Sequence, residues 1–381
     1  MHVPPNPLYS VLMASVAGAT VCWMLLRIAR RVARHVGLVD RPRAYKHHEQ
    51  PTPLVGGIAM SIAFFFAVLL LDYGFTAHRF LFAGIAVLVV VGVLDDLHEL
   101  SAAHRLWGQI LAALLMLGGG GVVLEDLGHL VSSKALVSTG LLAWPITAFA
   151  VVGVINALNM IDGLDGLAAS IALVTLTCMA VLAGTAADYR LLGVVSVLIS
   201  VLVPFLLLNL PPNRPALVFM GDAGSMFLGF TLAWFLVEVS QGEDRLMSPV
   251  TGLWIFALPL LDTVTLMLRR MALGRSPFLG DRGHVHHLLL ASGLTDRQAV
   301  MVLTLFATVA ASFGLAGHFL AIPEVWMFTA FATLFGVHYV CTMRACRRGS
   351  LLGRKLACGV LDAEWLSASE NDDRLATRDG K

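Results

Sequence analysis

Long apolar runs recur along this chain from Leu8 almost to Met343. In lipid each such run must satisfy its own backbone hydrogen bonds, so only helices or a closed barrel are open to it. A spanning helix takes about 20 mostly apolar residues. Eleven stretches come near that length, at roughly 8–27, 54–71, 80–97, 106–123, 136–158, 167–185, 190–209, 217–237, 250–270, 298–318 and 323–343. Charged residues make up only 13% of the chain and hydrophobic ones 57%, whereas a soluble domain is about one quarter charged. The expectation is an all-α, polytopic membrane protein of about eleven transmembrane helices. The fourth stretch is the weakest. It contains the run Gly118 to Gly121, read as a loose helix end rather than a site of close packing.

Basic residues set the orientation. With the N-terminus outside, 22 of the 26 Lys and Arg fall in cytoplasmic loops and the C-terminal tail. Outside there remain Arg79, Lys134, Arg190 and Arg245. Positive charge is retained on the cytoplasmic side, so the N-terminus is expected outside and the C-terminus in the cytoplasm. The opening MHVPPNPLYS has no Lys or Arg. It lacks the basic start of a cleaved leader, and the first span is expected to stay. Residues 1–343 read as one transmembrane domain, and 344–381 as a polar cytoplasmic tail, disordered toward its end. Arg30, Arg31 and Arg34 read as topology signals or lipid-headgroup contacts. Cys22, Cys178 and Cys341 lie in apolar runs and read as small hydrophobes.

The polar residues that interrupt the apolar pattern carry the chemistry, because ionisable groups in a membrane are costly and usually functional. INALNMIDGLDGLAAS places Asn156, Asn159, Asp162 and Asp165 at intervals of three, threaded by Gly163 and Gly166. Residues three apart share a helix side, and the glycines would let backbone approach a ligand. A polar turn with one capping Asp needs fewer such residues. Asp95 and Asp96 close the third span. Asp222, in VFMGDAGS, follows apolar Phe219 and Met220, so it is expected to be buried and partnered. These carboxylates form an oxygen-rich set suited to Mg²⁺. Arg282, His284, His286 and His287 make a donor-dense loop near Arg269, Arg270 and Arg275. His-x-His-His lacks ordinary zinc spacing, and an anionic, phosphate-bearing ligand fits better. The first cytoplasmic loop adds Lys46 and His47 before a Pro/Gly turn. All these clusters fall at the cytoplasmic leaflet and none at the midplane. That favours an enzyme joining a soluble substrate to a lipid headgroup over a transporter, whose site sits at mid-membrane.

Five motifs, DRPRAYKHHEQPTPLVGG, GVLDDLHELSAAHRLWGQ, NALNMIDGLDGLA, VFMGDAGS and PLLDTVTLMLRRMALGRSPFLGDRGHVHH, occur in order over nearly the whole chain. Together they make it resemble the polyprenyl-phosphate N-acetylhexosamine-1-phosphate transferases, in the branch that uses GlcNAc. The resemblance implies transfer of GlcNAc-1-phosphate from UDP-GlcNAc to undecaprenyl phosphate with release of UMP, as the first membrane step of O-antigen or related surface-polysaccharide synthesis. FucNAc- and QuiNAc-using relatives share the motifs, so the sugar stays open. By the same resemblance Asp95 and Asp96 serve the lipid phosphate and the catalytic centre, joined by Asp162 and Asp165. Asp222 holds Mg²⁺, for which Mn²⁺ can substitute. Asn156 and Asn159 contact the nucleotide sugar. His284, His286 and His287, with Arg269 and Arg282, bind its pyrophosphate and sugar, and Lys46 the uridine. The implied setting is the bacterial cytoplasmic (inner) membrane, with the active site on the cytoplasmic side. The partners are the two substrates and the bilayer, with a homodimer allowed and no nucleic acid.

Overall fold

The computed structural model describes residues 7–40, 51–71, 74–212, 214–272, 274, 276 and 283–351. Each of the eleven apolar stretches carries helix. Among the described residues seven helices are long and apolar enough to cross a membrane alone. They are α1 (Pro7–Val36), α3 (Gly74–His98), α5 (Ala143–Ile161), α6 (Leu167–Thr185), α7 (Tyr189–Asn209), α12 (Asp296–Phe319) and α13 (Glu324–Leu351). The other four stretches are less regular. α2 (Gly56–Val68) is short, and α4 (Ala102–Leu114) runs into a π-helical turn at Leu115–Gly120. α8 (Gly221–Glu238) has an acid at each end. α9 (Pro249–Ile255) and α10 (Ala257–Ala272) meet at an 86° bend. A seven-residue helix, α11 (Val285–Ala291), precedes α12. α13 continues as helix past residue 343, and residues 352–381 lie outside the described part.

α8 is the axis of the bundle, packed against α2, α3 and α5. Small residues make that approach possible. A Cβ on Gly57 or on Gly92 would fall on the backbone of Ala223 and its neighbours, so α2 and α3 close on the first turn of α8 from two sides. Farther along, Phe64 packs on Phe82 and Phe227, with ring centroids 5.4 and 6.0 Å apart. The glycine run departs from the expected loose end. Gly119 lies under the Phe80 ring and Gly120 under Trp234, with no room for a side chain at either. Those glycines exist to let large rings pack.

Among the described residues a small two-stranded stitch, absent from the sequence expectation, joins the helices. β1 (Val39–Asp40) pairs antiparallel with β2 (Thr52–Pro53), and Leu54 then bridges Phe219 in parallel. The N–H of Phe219 donates to Pro53 O at 2.8 Å. Those of Gly56 and Gly57 donate to Phe219 O and Met220 O, both at 2.9 Å. These bonds tie the entry of α2 to the entry of α8. Cys22 and Cys178 are buried as expected, whereas Cys341 is exposed on α13.

Candidate active site

The C-terminal ends of α3, α5 and α7 and the N-terminal ends of α8 and α12 meet at one end of the bundle, around a cavity of about 910 Å³. Eight carboxylates line it: Asp40, Asp95, Asp96, Glu99, Asp162, Asp165, Asp222 and Asp296. Against them stand Arg214, Arg297 and His287 among the described lining residues. The dispersed motifs of the sequence thus converge, at one end of the helices rather than at their middle.

Each acid is positioned by a local reason. Asp96 accepts the N–H of Asp222 at 2.9 Å and of Ala223 at 3.5 Å. It thereby caps the otherwise unsatisfied N-terminus of α8, where negative charge is favoured. Gly221 must be glycine for this: its φ is +71°, and a Cβ would sit against the Asp96 carboxylate. Asp95 has both oxygens committed, one to the N–H of Leu100 (2.7 Å) and one to Arg105 (3.1 Å). Asp222 accepts from Asn159 Nδ2 at 2.6 Å, and the same amide reaches Ser225 Oγ at 2.8 Å. The N–H of Asp162 donates to Asn159 O at 3.3 Å, while its carboxylate has no hydrogen-bond partner among the described residues. Burial first, then the charges of Asp222, Asp165 and Asp96, hold its carboxyl well above the ordinary range. Asp165 is pushed up to about 6 by burial and by Asp296.

Such a set could hold a cation. No three His, Cys, Asp or Glu side chains among the described residues converge as a ready-made metal nest. Mg²⁺ needs no such nest. It is typically held by one or two carboxylates with water and substrate phosphates, and the carboxylates of Asp222 and Asp162 could supply those donors.

The histidine loop divides its work differently from the expectation. Asp262 on α10 accepts from the N–H of Val285 (2.9 Å) and pairs with His284 Nδ1 (2.8 Å). His284 is therefore held at the start of α11, buried. His286 is only 1% exposed and packs against Gly163, where a Cβ would strike its ring. Neither of its ring nitrogens has a partner among the described residues. Burial, then His287 and His284, lower its pKa to about 3 against the pull of Asp262, so it is neutral at pH 7. Only His287 of the three reaches the cavity wall. One turn of helix cannot aim all three rings the same way, and the wall of Gly163 takes the middle one.

Two further candidates do not line the cavity. Asn156 faces α4, donating to Gln109 Oε1 at 2.7 Å and to Val152 O at 2.8 Å. Arg269 is buried along α10, away from the lining. Lys46 and Arg282 lie outside the described residues. Sequence reasoning missed Arg105, Gln109 and Ser225 as partners, and Arg297, which donates to Pro211 O at 2.6 Å and fastens α12 to the loop before α8. It gave no role to Asp262. A lone acid in an apolar run was the available signal.

Comparison with known proteins agrees with the motif resemblance. Residues 78–240 match the family described as glycosyl transferase family 4. That segment holds Asp95 through Asp222 and stops before the histidine loop. The undecaprenyl-phosphate alpha-N-acetylglucosaminyl 1-phosphate transferase of Yersinia pestis is 39% identical over 86% of this chain and 90% of its own length. The proteins of the same name from Escherichia coli K12 and Haemophilus influenzae are each 38% identical. They cover 84% and 82% of this chain, and 88% of their own lengths.

Proposed function

This chain belongs to glycosyl transferase family 4, and on that premise we propose that it transfers GlcNAc-1-phosphate from UDP-GlcNAc to undecaprenyl phosphate, releasing UMP. The observation that carries the reading is the acidic cavity at one end of the bundle, fed by every carboxylate motif. An oxygen of the lipid phosphate attacks the sugar-bearing phosphorus of the nucleotide. The bond to the second phosphate breaks, and UMP leaves with that oxygen. A phosphate monoester has its second pKa near 6, so at pH 7 the acceptor is mostly dianion and needs little help from a base. Direct attack fits the acids as they stand. Asp95 is held by Leu100 and Arg105, and Asp96 by the first turn of α8, which supports positioning roles for both.

Mg²⁺, or Mn²⁺ in its place, held by Asp222 with Asp162 alongside, would supply neutralisation of the phosphates. Asn159 fixes the Asp222 carboxylate in place, Asp96 steadies the helix that bears it, and His287 meets substrate from the opposite wall. The remaining binding groups of this reading are Lys46 and Arg282. We place the N-terminus outside, eleven spans across the inner membrane, and the cavity at the cytoplasmic face, from the distribution of Lys and Arg.

Purified protein in neutral detergent, given undecaprenyl phosphate, Mg²⁺ and a panel of UDP-N-acetylhexosamines, provides the test. UMP should appear with UDP-GlcNAc and only when the lipid is present. UMP release without lipid, or none with any sugar nucleotide, overturns the reading.

A further inference from the structure

Four arginines close α1: Arg27, Arg30, Arg31 and Arg34. Their spacing of three and four puts them on one side of the helix, where like charges repel. Among the described residues none of the four has an ion-pair or hydrogen-bond partner. Arg27 stacks over Trp23, its guanidinium carbon 5.1 Å from the ring centroid. Arg30 borders the face that packs on the bundle, and its Nε is buried with no partner. A buried guanidinium nitrogen without an acceptor is costly, and none of the described residues supplies one to Arg30 Nε.

We propose that these arginines form a binding site for the phosphodiester headgroup of an anionic membrane phospholipid. The neighbouring face of α1 supports a lipid as occupant: Ile28 is 61% and Val32 52% exposed, at the level of the arginines. A headgroup on the guanidiniums would lay its acyl chains along that apolar strip, whereas a free phosphate would leave the strip unused. The site is separate from the catalytic cavity, since none of the four arginines lines it. α1 packs on α2 and α7, one layer removed from α8. It nevertheless touches the rim of the cavity through the backbone. The N–H of Leu38 donates to Ala33 O at 3.0 Å, and the N–H of Leu54 to Leu38 O at 3.2 Å, just before the stitch to Phe219. A lipid seated on the arginines would steady that rim.

The test is lipid selectivity, which needs no turnover and so stands or falls apart from the proposed reaction. The full chain is reconstituted in phosphatidylcholine vesicles, and the immobilised fraction of spin-labelled phosphatidylglycerol is compared with that of spin-labelled phosphatidylcholine. Wild type should select phosphatidylglycerol by roughly three- to ten-fold. The triple variant Arg30→Gln, Arg31→Gln, Arg34→Gln should lose that selectivity. The matching triple lysine variant should keep most of it, which guards against a general folding defect. Inorganic phosphate at millimolar concentration, and undecaprenyl phosphate at one per protein, should not displace the label. Unchanged selectivity in the glutamine variant, or displacement by either competitor, overturns the proposal.

Discussion

Asp262 uses both oxygens on the start of α11, one for Val285 N–H and one for His284 Nδ1. A carboxylate there fixes which ring nitrogen of His284 carries the proton. Asp262→Asn would present an amide donor to that nitrogen and reverse the tautomer while keeping the shape. Because this pair anchors the start of α11, which carries His287 to the cavity wall, we expect turnover to fall about two- to ten-fold, roughly the worth of one hydrogen bond, with little change in unfolding temperature. Turnover equal to wild type would make the pair a structural clamp only. Asp165 gives a pH signature. Its carboxyl is raised to about 6 in the fold against about 3.9 in an unfolded chain. The folded state holds the proton more tightly, so the contribution of Asp165 to stability is fullest below about pH 4 and is lost as pH rises through about 6. The cost above that window is at most about 3 kcal/mol. In metal-free buffer Asp165→Asn should raise the unfolding midpoint at pH 7 and barely move it at pH 4. An equal shift at both pH values would show that the ionised carboxylate is not the cause.

Helix entries carry the next layer of organisation. The first turn of α8 is gripped between Gly57 on α2 and Gly92 on α3. Gly92→Ala would press a methyl onto Ala223 and displace Asp222, at about 1–3 kcal/mol for an overpacked core. Gly153→Ala, in α5, meets nothing within 4 Å. The first should lower both melting temperature and activity, and the second neither; equal behaviour would mean the grip is slack. This is also where the sequence stopped being informative. Helices were legible because apolar runs of membrane length have few alternatives. The acids were legible because Asp95, Asp96, Asp162 and Asp222 break those runs. Partner choice was not. Nothing local tells Asp95 to take Arg105, or sends Asn156 to Gln109 while Asn159 goes to Asp222. Those choices follow from which helices pack. The glycine run was misread for the same reason, since its partners Phe80 and Trp234 lie on α3 and α8.

At the scale of the molecule, the acidic cavity lies at one end and the loop spanning residues 121–139 at the other, pinned there by Arg245 to Asp126 (3.3 Å) and Gln241 to the backbone of Glu125 (2.8 Å). If the cavity faces the cytoplasm, those two ends lie on opposite sides of the membrane. Single cysteines at Ser132 and Ser292, in a background without native cysteines, test this. With the outer barrier opened, an impermeant thiol reagent on intact cells should label only the first. Equal labelling would reverse or revise the orientation.

α8 has a consequence for how such a protein is made. It is enclosed along nearly its whole length from Ala223 to Val237, and it begins near Asp222 and ends at Glu238. It does not reach the apolarity by which the seven longer helices qualify as spans, and acids near a helix end lower its chance of partitioning into lipid unaided. The ribosome delivers α7 first, the most apolar of the seven, and α2, α3 and α5 are already in place. The central helix of the finished enzyme is thus a late guest, admitted by neighbours that have assembled a berth for it, and its two acids need never face the hydrocarbon alone.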